Sequence, residues 1–320
     1  MVQKKNGNWR MCIDFTTPNN FCPKDEFPLP RIDTLVDAAA GLEMLSMLDC
    51  FSGYHRIFMK KSDEKKTSFT TPFGTYCYVR MPEGLRKAGC TSSRTIAVVL
   101  DTQLDRNISA YVDDVIMRSK KWEDHIADLR ETFSNLCKHG LKLNPKKCVF
   151  GVRRGKLLGY MITERGIEAN PVKIEAIRRM RPPSTKKEVQ KLTGRLASLN
   201  KFISWSAEKS LPFFKVLKGT ENFRWGPEQD KAFEDLKKYL ENLTVMTSPS
   251  PGAEPLLYIS TSSSAVSATL VEEKMVEGTL KQLPIYFVSE ALNGSKLFYS
   301  EMEKMAYAVV MAARKLCHYF

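Results

Sequence analysis

No C-x-x-C pair occurs anywhere in the 320 residues; the eight cysteines (12, 22, 50, 77, 90, 137, 148 and 317) are scattered. None of the four histidines stands at H-x₃₋₅-H spacing. These absences argue against a disulfide framework and a structural zinc site. The cysteines read as free thiols of a reducing compartment, cytoplasm or nucleus. No apolar run approaches the roughly 20 residues that span a bilayer. The opening Met1-Val2-Gln3-Lys4-Lys5-Asn6 has no apolar stretch behind its charges, so neither a secretory signal nor a membrane partner is expected. Repeats and low-complexity tracts are missing too. With 43% apolar and 27% charged residues, the composition excludes wholesale disorder.

What is present in excess is positive charge: 49 Lys and Arg against 36 Asp and Glu, a net +13. It is concentrated. Residues 51–100 hold 9 basic and 3 acidic groups, and residues 151–200 hold 12 and 4. Such concentration favours a polyanion, because neutralising phosphates releases counterions. Charge alone fits a solvated lysine-rich surface equally well.

Trp9–Phe15 and Tyr76–Met81 read as strands, and Thr71-Pro72-Phe73-Gly74 as a turn between strands. Asp124–Gly140 has helical spacing, with Gly140 as its stop. Asn170-Pro171 opens a helix that Pro182-Pro183 ends. Thr185 and Glu188 form a capping box for the next helix, whose apolar stripe runs Val189, Leu192, Leu196, Leu199, Ile203. Lys187, Lys191 and Arg195 recur every four residues as a separate basic stripe. Another helix is expected over 227–242 and a loop over 247–255. Strand-like runs follow at Leu256–Ile259, Ala265–Val271 and Leu283–Val288, then a helix over Met302–Leu316. The irregular mixture predicts an α+β fold.

Tyr111-Val112-Asp113-Asp114 carries the sharpest chemistry. It lies between two β-prone runs, Ile108–Val112 and Val115–Met117, and predicts a tight hairpin linked by the two aspartates. Asp-Asp is a mediocre choice for such a turn, and a local rule broken at a turn marks function. Adjacent carboxylates repel one another unless a cation offsets them, and hard oxygen donors select Mg²⁺ or Mn²⁺. A bare Asp-Asp is more often a solvated turn. A third acid, Asp49, alters that balance: it ends the apolar run Met44–Leu48 and leads into Cys50-Phe51-Ser52-Gly53-Tyr54. Three carboxylates around two metals suit the activation of a 3′-hydroxyl and the departure of pyrophosphate.

These residues, taken in order, resemble the reverse transcriptase region of a gypsy-type LTR-retrotransposon polyprotein, most closely the plant lineage. The motifs are Trp9–Phe15 (WRMCIDF), Phe27–Asp33 (FPLPRID), Leu48–Tyr54 (LDCFSGY), Tyr111–Asp114 (YVDD), Lys142–Cys148 (KLNPKKC), Leu158–Tyr160 (LGY) and Val189–Arg195 (VQKLTGR). The resemblance implies a right-hand polymerase of fingers, palm and thumb, a connection, and a truncated, degenerate RNase H-like domain. The implied boundaries are 1–160 for fingers and palm, 161–216 for thumb and connection, and 217–320 for the RNase H-like part, with both ends of the chain cut. It implies Asp49, Asp113 and Asp114 as metal ligands and Tyr54 as the aromatic under the incoming sugar. It also implies Lys4, Lys5 and Arg10 as triphosphate cations, Lys156 at the primer terminus, and Lys187, Lys191 and Arg195 along the duplex. The implied cofactor is Mg²⁺ or Mn²⁺, and the implied partners are an RNA/DNA template–primer and dNTPs.

The chain also departs from that pattern. Glu83 stands where an aromatic or glutamine is usual, Lys87 where an amide is usual, and Ser92-Ser93 near an expected aromatic-Gln pair. A carboxylate at 83 would repel a triphosphate and perturb the metal cluster. In the RNase H-like part, Ser260 and Met305 occupy the positions of two acidic ligands, and RNA cleavage is not expected. The competing expectation is a catalytically decayed remnant that at most binds nucleic acid.

Overall fold

The computed structural model describes residues 1–3, 7, 9–50, 53–218 and 223–320, the side chain of Arg10 excepted. The predicted triphosphate residues Lys4 and Lys5, the Arg10 side chain, and Phe51-Ser52 of the LDCFSGY motif lie outside the described residues. The chain forms two compact units, Met1–Leu158 and Gly159–Phe320. No helix among the described residues is long and apolar enough to cross a membrane.

The first unit is built on a four-stranded antiparallel sheet. Its order is Ile108–Tyr111, Asp114–Ser119, Met44–Asp49, Val149–Val152. Leu48, Ile108, Val115 and Met117 project from one face into a core shared with Ile96, Val99 and Leu100 of the helix Ala88–Val99 and with Leu136 of the helix His125–Lys138. The predicted turn at 71–74 joins the short strands Phe69–Thr71 and Gly74–Tyr76. Two strand expectations fail. The first strand spans only Trp9–Arg10, because Asp14 Oδ1 accepts from the amide and hydroxyl of Thr16 and turns the chain into the helix Thr16–Phe21. The Tyr76–Met81 run leaves its hairpin at Tyr76. Its later residues bond elsewhere: Tyr78 N–H donates to Thr67 Oγ1, and Met81 N–H to the Ile57 carbonyl.

The second unit opens with a hairpin, Tyr160–Thr163 and Gly166–Ala169. The helix Pro171–Arg178 follows, capped by Asn170 Oδ1 on the Val172 amide. Lys186–Ala197 is the expected basic helix, and Thr185 Oγ1 caps the Glu188 amide. The Glu188 carboxylate accepts from the amide and hydroxyl of Ser184 and also from the Thr185 amide. This helix ends at Ala197, six residues short of the predicted stripe. Leu199 and Ile203 are buried regardless, by the 3₁₀ turn Asn200–Phe202. Helices Ser206–Lys218 and Pro227–Glu241 come next.

The strands Leu256–Thr261, Ala265–Val276 and Thr279–Ala291 then form a three-stranded antiparallel sheet in chain order. The latter two run longer than predicted. Glu277 and Gly278 both adopt positive φ (52° and 76°), which lets a two-residue link close the hairpin. Pro284 lacks an amide hydrogen, and the register shifts where it pairs with Val271. The helix Glu301–Lys315 buries Ala308, Met311 and Ala312 against Val266, Ala268, Leu270 and Ile285 of the sheet.

Candidate active site

The site is a consequence of strand register. In the antiparallel pair of Met44–Asp49 with Asp114–Ser119, Met44 faces Ser119 and Asp49 faces Asp114. The two carboxylates are direct cross-strand neighbours, whose Cβ atoms stand roughly 4.5–5.5 Å apart in such pairs. The expected hairpin forms, with its link one residue earlier than predicted. Tyr111 pairs with Asp114, so the link is Val112-Asp113 rather than Asp113-Asp114. Val112 has φ +54°, the left-handed conformation that a two-residue hairpin link uses and that β-branched residues rarely adopt. That strain has a geometric result. Asp114 becomes the first residue of its strand, opposite Asp49, and Asp113 is left at the tip.

Each carboxylate has a different environment. Asp49 is engaged by Lys147 Nζ at 3.1 and 3.4 Å. Its backbone is fixed by the Asn144 amide, which donates to its carbonyl at 2.9 Å, and its own amide donates to Cys148 Sγ at 3.3 Å. Asp113 accepts from the Tyr54 hydroxyl. Burial pushes the Asp113 carboxyl above its ordinary range, against the Tyr54 hydrogen bond, and the charges of Asp49, Asp114 and Glu83 push it further. Asp114 is raised by burial and by Asp49, with Lys156 opposing. The Tyr54 phenol is pushed up to about 12 by burial and then by Asp113, so it stays protonated and donates. Burial and the neighbouring Asp49 charge also raise the Cys50 thiol, to about 11.

Among the described residues, no three His, Cys, Asp or Glu side chains stand in an arrangement that holds a metal ion. With Asp49 turned to Lys147 and Asp113 to Tyr54, the three carboxylates do not share one point. The donor chemistry nevertheless fits a hard divalent cation. The ligands are carboxylate oxygens, and Asp113 and Asp114 are both raised by burial and in part by the charge of Asp49; a cation is what removes such repulsion.

The other predicted residues divide between the units. Tyr54 lies half-buried on the 3₁₀ turn Tyr54–Arg56 and reaches the hairpin tip. Lys156 is exposed on the strand Arg154–Leu157 and acts on Asp114. At the neighbouring Gly155 the strand lies close against Met47: a Cβ there would fall 1.7 Å from Met47 Cε. Glu83 is exposed, and its charge acts on both Asp113 and Tyr54. Lys187, Lys191 and Arg195 belong to the second unit. Lys187 and Lys191 are exposed, whereas Arg195 is half-buried and turns inward to donate to the Ala176 carbonyl, so it leaves the predicted basic stripe. Ser260 is exposed on its strand, and Met305 is exposed on the last helix. Sequence reasoning missed Lys147. Its signal was the KLNPKKC motif, where the lysine was quoted without a role.

Two family profiles match the chain. One, described as reverse transcriptase (RNA-dependent DNA polymerase), covers residues 2–162. The other, an RNase H-like domain found in reverse transcriptase, covers residues 225–320. Among curated proteins, the Transposon Tf2-3 and Tf2-7 polyproteins of Schizosaccharomyces pombe are each 28% identical over 318 residues, 99% of this chain. The chain spans about a quarter of their length, 24% of each. Among solved structures, a foamy viral protease-reverse transcriptase in complex with an RNA/DNA hybrid superposes over 98% of this chain and 42% of that one, with a TM-score of 0.87 at 20% identity. A second, in complex with double-stranded DNA, gives 0.89 over 99% and 55% at 20% identity. These likenesses establish the fold: an α+β right-hand polymerase followed by an RNase H-like domain.

Proposed function

The chain belongs to the reverse transcriptase (RNA-dependent DNA polymerase) family, and on that premise we propose that it performs template-directed nucleotidyl transfer, extending a DNA primer on an RNA template within a retrotransposon polyprotein. The observation that carries this reading is the register that sets Asp49 opposite Asp114 with Asp113 at the adjoining tip. We assign residues 1–160 to fingers and palm, 161–216 to thumb and connection, and 217–320 to the RNase H-like part. The motif wording supports a gypsy-type LTR element of the plant lineage, while the curated relatives named above are fungal.

In this reading Asp49, Asp113 and Asp114 hold Mg²⁺ or Mn²⁺. The bound ions would lower the pKa of the primer 3′-hydroxyl and neutralise the charge that builds on the leaving pyrophosphate. The chain's own residues do the positioning. Tyr54 keeps its proton and donates to Asp113, which fixes the tip and sets the ring under the incoming sugar. Lys147 neutralises Asp49 while no ion is bound. Lys4, Lys5 and Arg10 hold the triphosphate, Lys156 the primer end, and Lys187 and Lys191 the duplex phosphates. The 3′-oxygen forms its bond to the α-phosphorus as the bond to pyrophosphate breaks. Foamy viral relatives solved with an RNA/DNA hybrid and with double-stranded DNA support the template–primer as partner.

A second reading has its own observation. The charge of Glu83 acts on Asp113 and Tyr54, where a triphosphate would lie. On that reading the chain binds template–primer and incorporates nothing. Primer extension on an RNA template with Mg²⁺ or Mn²⁺ separates the two. Incorporation that Asp113→Asn abolishes supports the polymerase; salt-sensitive hybrid binding without incorporation supports the remnant. The RNase H-like part, with Ser260 and Met305 in place of acids, is expected to leave the RNA strand intact.

A further inference from the structure

The first unit contains a second cluster of polar side chains, buried on the sheet face opposite the carboxylates. Side chains alternate along a strand, so Ser46 faces away from Asp49 and Ser119 away from Asp114. Both serines and His125, at the start of the helix His125–Lys138, are almost wholly buried. His125 Nε2 lies 2.8 Å from Ser46 Oγ, and Nδ1 lies 2.9 Å from Ser119 Oγ. Ser119 Oγ is 2.5 Å from Asp128 Oδ2. Asn107 Nδ2 donates to Asp128 Oδ1 at 2.7 Å, and the Gly151 amide donates to Ser46 Oγ at 3.0 Å.

The direction of every bond in this chain follows from its two ends. A carboxylate only accepts, so Ser119 gives its single hydrogen to Asp128 and must accept from His125 Nδ1. The proton of the neutral ring is therefore on Nδ1, and Nε2 accepts from the Ser46 hydroxyl. Ser46 Oγ in turn accepts from the Gly151 amide. One relay thus joins the strands Met44–Asp49, Asp114–Ser119 and Val149–Val152 to the helix.

We propose that His125, neutral with its proton on Nδ1, is a positioning residue for the carboxylate site: it fastens the strands that carry Asp49 and Asp114 and releases them when it is protonated. The catalytic meaning of this rests on the polymerase reading; the relay itself does not. A second ring proton would point from Nε2 at Ser46 Oγ, where the serine hydrogen already lies. Ser46 is fully buried, and turning its hydroxyl away would cost it its acceptor.

The charged group acting on the ring is Asp128, on its own helix. From the strands the ring meets Ser46 and Ser119, and Ser46 is met in turn by the Gly151 amide; none of these titrates in this range. Arg118, beside Ser119, turns the other way to Ser109 and the Asp105 carbonyl. Glu43 is occupied by the Trp122 amide in the loop before the helix. Burial holds the imidazole below its ordinary value of about 6.5, with Asp128 opposing. The unfolded chain therefore takes up the proton first. The relay's contribution is fully present above about pH 6.5 and is lost as pH falls toward the folded value.

The test uses the whole ¹⁵N-labelled chain between pH 8 and 5. Imidazole nitrogen spectra should show the Nδ1–H tautomer at pH 8. Amide exchange protection across Met44–Asp49 and Asp114–Ser119 should fall at least tenfold as the ring titrates, while Thr279–Ala291 keeps its protection. His125→Asn retains a donor for Ser119 and removes the Nε2 contact. It should abolish the pH step and lower kcat about tenfold, with the dNTP KM unchanged within twofold. Ser46→Ala is the second variant: with no hydroxyl on Nε2, the ring's titration midpoint should rise. An Nε2–H tautomer, a flat protection profile in the wild type, a surviving step in His125→Asn or an unmoved midpoint in Ser46→Ala each overturns the proposal. If the wild type incorporates no nucleotide, the polymerase reading fails, and the tautomer and exchange measurements still decide the relay.

Discussion

Two sheets of this chain, one in each unit, treat their carboxylates in opposite ways. In the second unit each is given a partner. Glu272, almost fully buried, accepts from the Ser250 amide at 3.0 and 3.3 Å and faces Lys274 at 3.2 Å. Glu290 accepts from Tyr307 and from Lys296. Burial alone would raise its carboxyl, yet those two bonds together with the charges of Lys315 and Lys296 outweigh it and hold it below the usual range. In the first unit Asp113 and Asp114 are raised, because desolvation and the neighbouring charge of Asp49 outweigh what Tyr54 and Lys156 return. Frustrated charge and the strained Val112 fall at the same hairpin tip. A fold that satisfies its acids in one sheet and leaves them in conflict in the other marks where a cation is wanted.

The sharpest way to break this comparison is to remove one acid from the conflicted tip. Asp113→Asn should lower nucleotide incorporation on the order of 10³-fold while template–primer affinity holds, measured by primer extension beside filter binding. Incorporation that survives would mean the tip is only a stressed turn. A smaller effect is expected from Glu83. Replacing it with Gln removes one like charge acting on Asp113 and Tyr54, and the dNTP KM should fall about fivefold, from roughly 1 kcal/mol of relieved repulsion. A steady-state titration of dNTP reads this directly, and an unchanged KM would remove Glu83 from the nucleotide site.

The conflicted sheet was more legible in the sequence than the satisfied one, for physical reasons. An apolar run ending in Asp49 and a YVDD flanked by β-prone residues are local signals, and both became strands of one sheet. The link slipped by one residue because Val112 adopts a backbone conformation that its side chain disfavours, which propensity could not anticipate. Arg195 followed the helical spacing of a basic stripe, but a carbonyl at the end of the preceding helix captured its guanidinium. Lys147 and the His125 relay were invisible for a different reason. Their partners lie 98 and 79 positions away in the chain, and only the closed sheet brings them together. Likewise, Glu277-Gly278 is an unremarkable dipeptide until its two positive φ angles extend the hairpin on both sides.

On the satisfied side, Tyr307→Phe removes the hydroxyl that helps hold Glu290 down. The chain should lose about 1 kcal/mol of stability at neutral pH, seen as a lower urea midpoint with an unchanged slope. The sign with pH is fixed by the lowered carboxyl. Its contribution is present above the unfolded value of about 4.5 and disappears as pH falls through the folded one, so the difference between variant and wild type should close in acid.

The smallest expected effect has the opposite sign and tests the comparison most closely. Asp114 is raised in the folded chain, so the native state binds its proton more readily than the unfolded state does. Stability therefore declines as pH rises from about 3.8 through the folded value, and at neutral pH this residue costs stability. Asp114→Asn removes one of two like charges placed directly opposite each other. It should stabilise the chain by roughly 0.5 kcal/mol, within the range of cross-strand pairs, and raise the melting temperature by about 1–2 °C. The same variant should lose incorporation as Asp113→Asn does. A gain of stability coupled to a loss of activity at one residue is what like-charged ligands produce when they are held near one another without their ion. A variant that is inactive and also less stable would instead make Asp114 an ordinary structural acid, and the contrast between the two sheets would disappear.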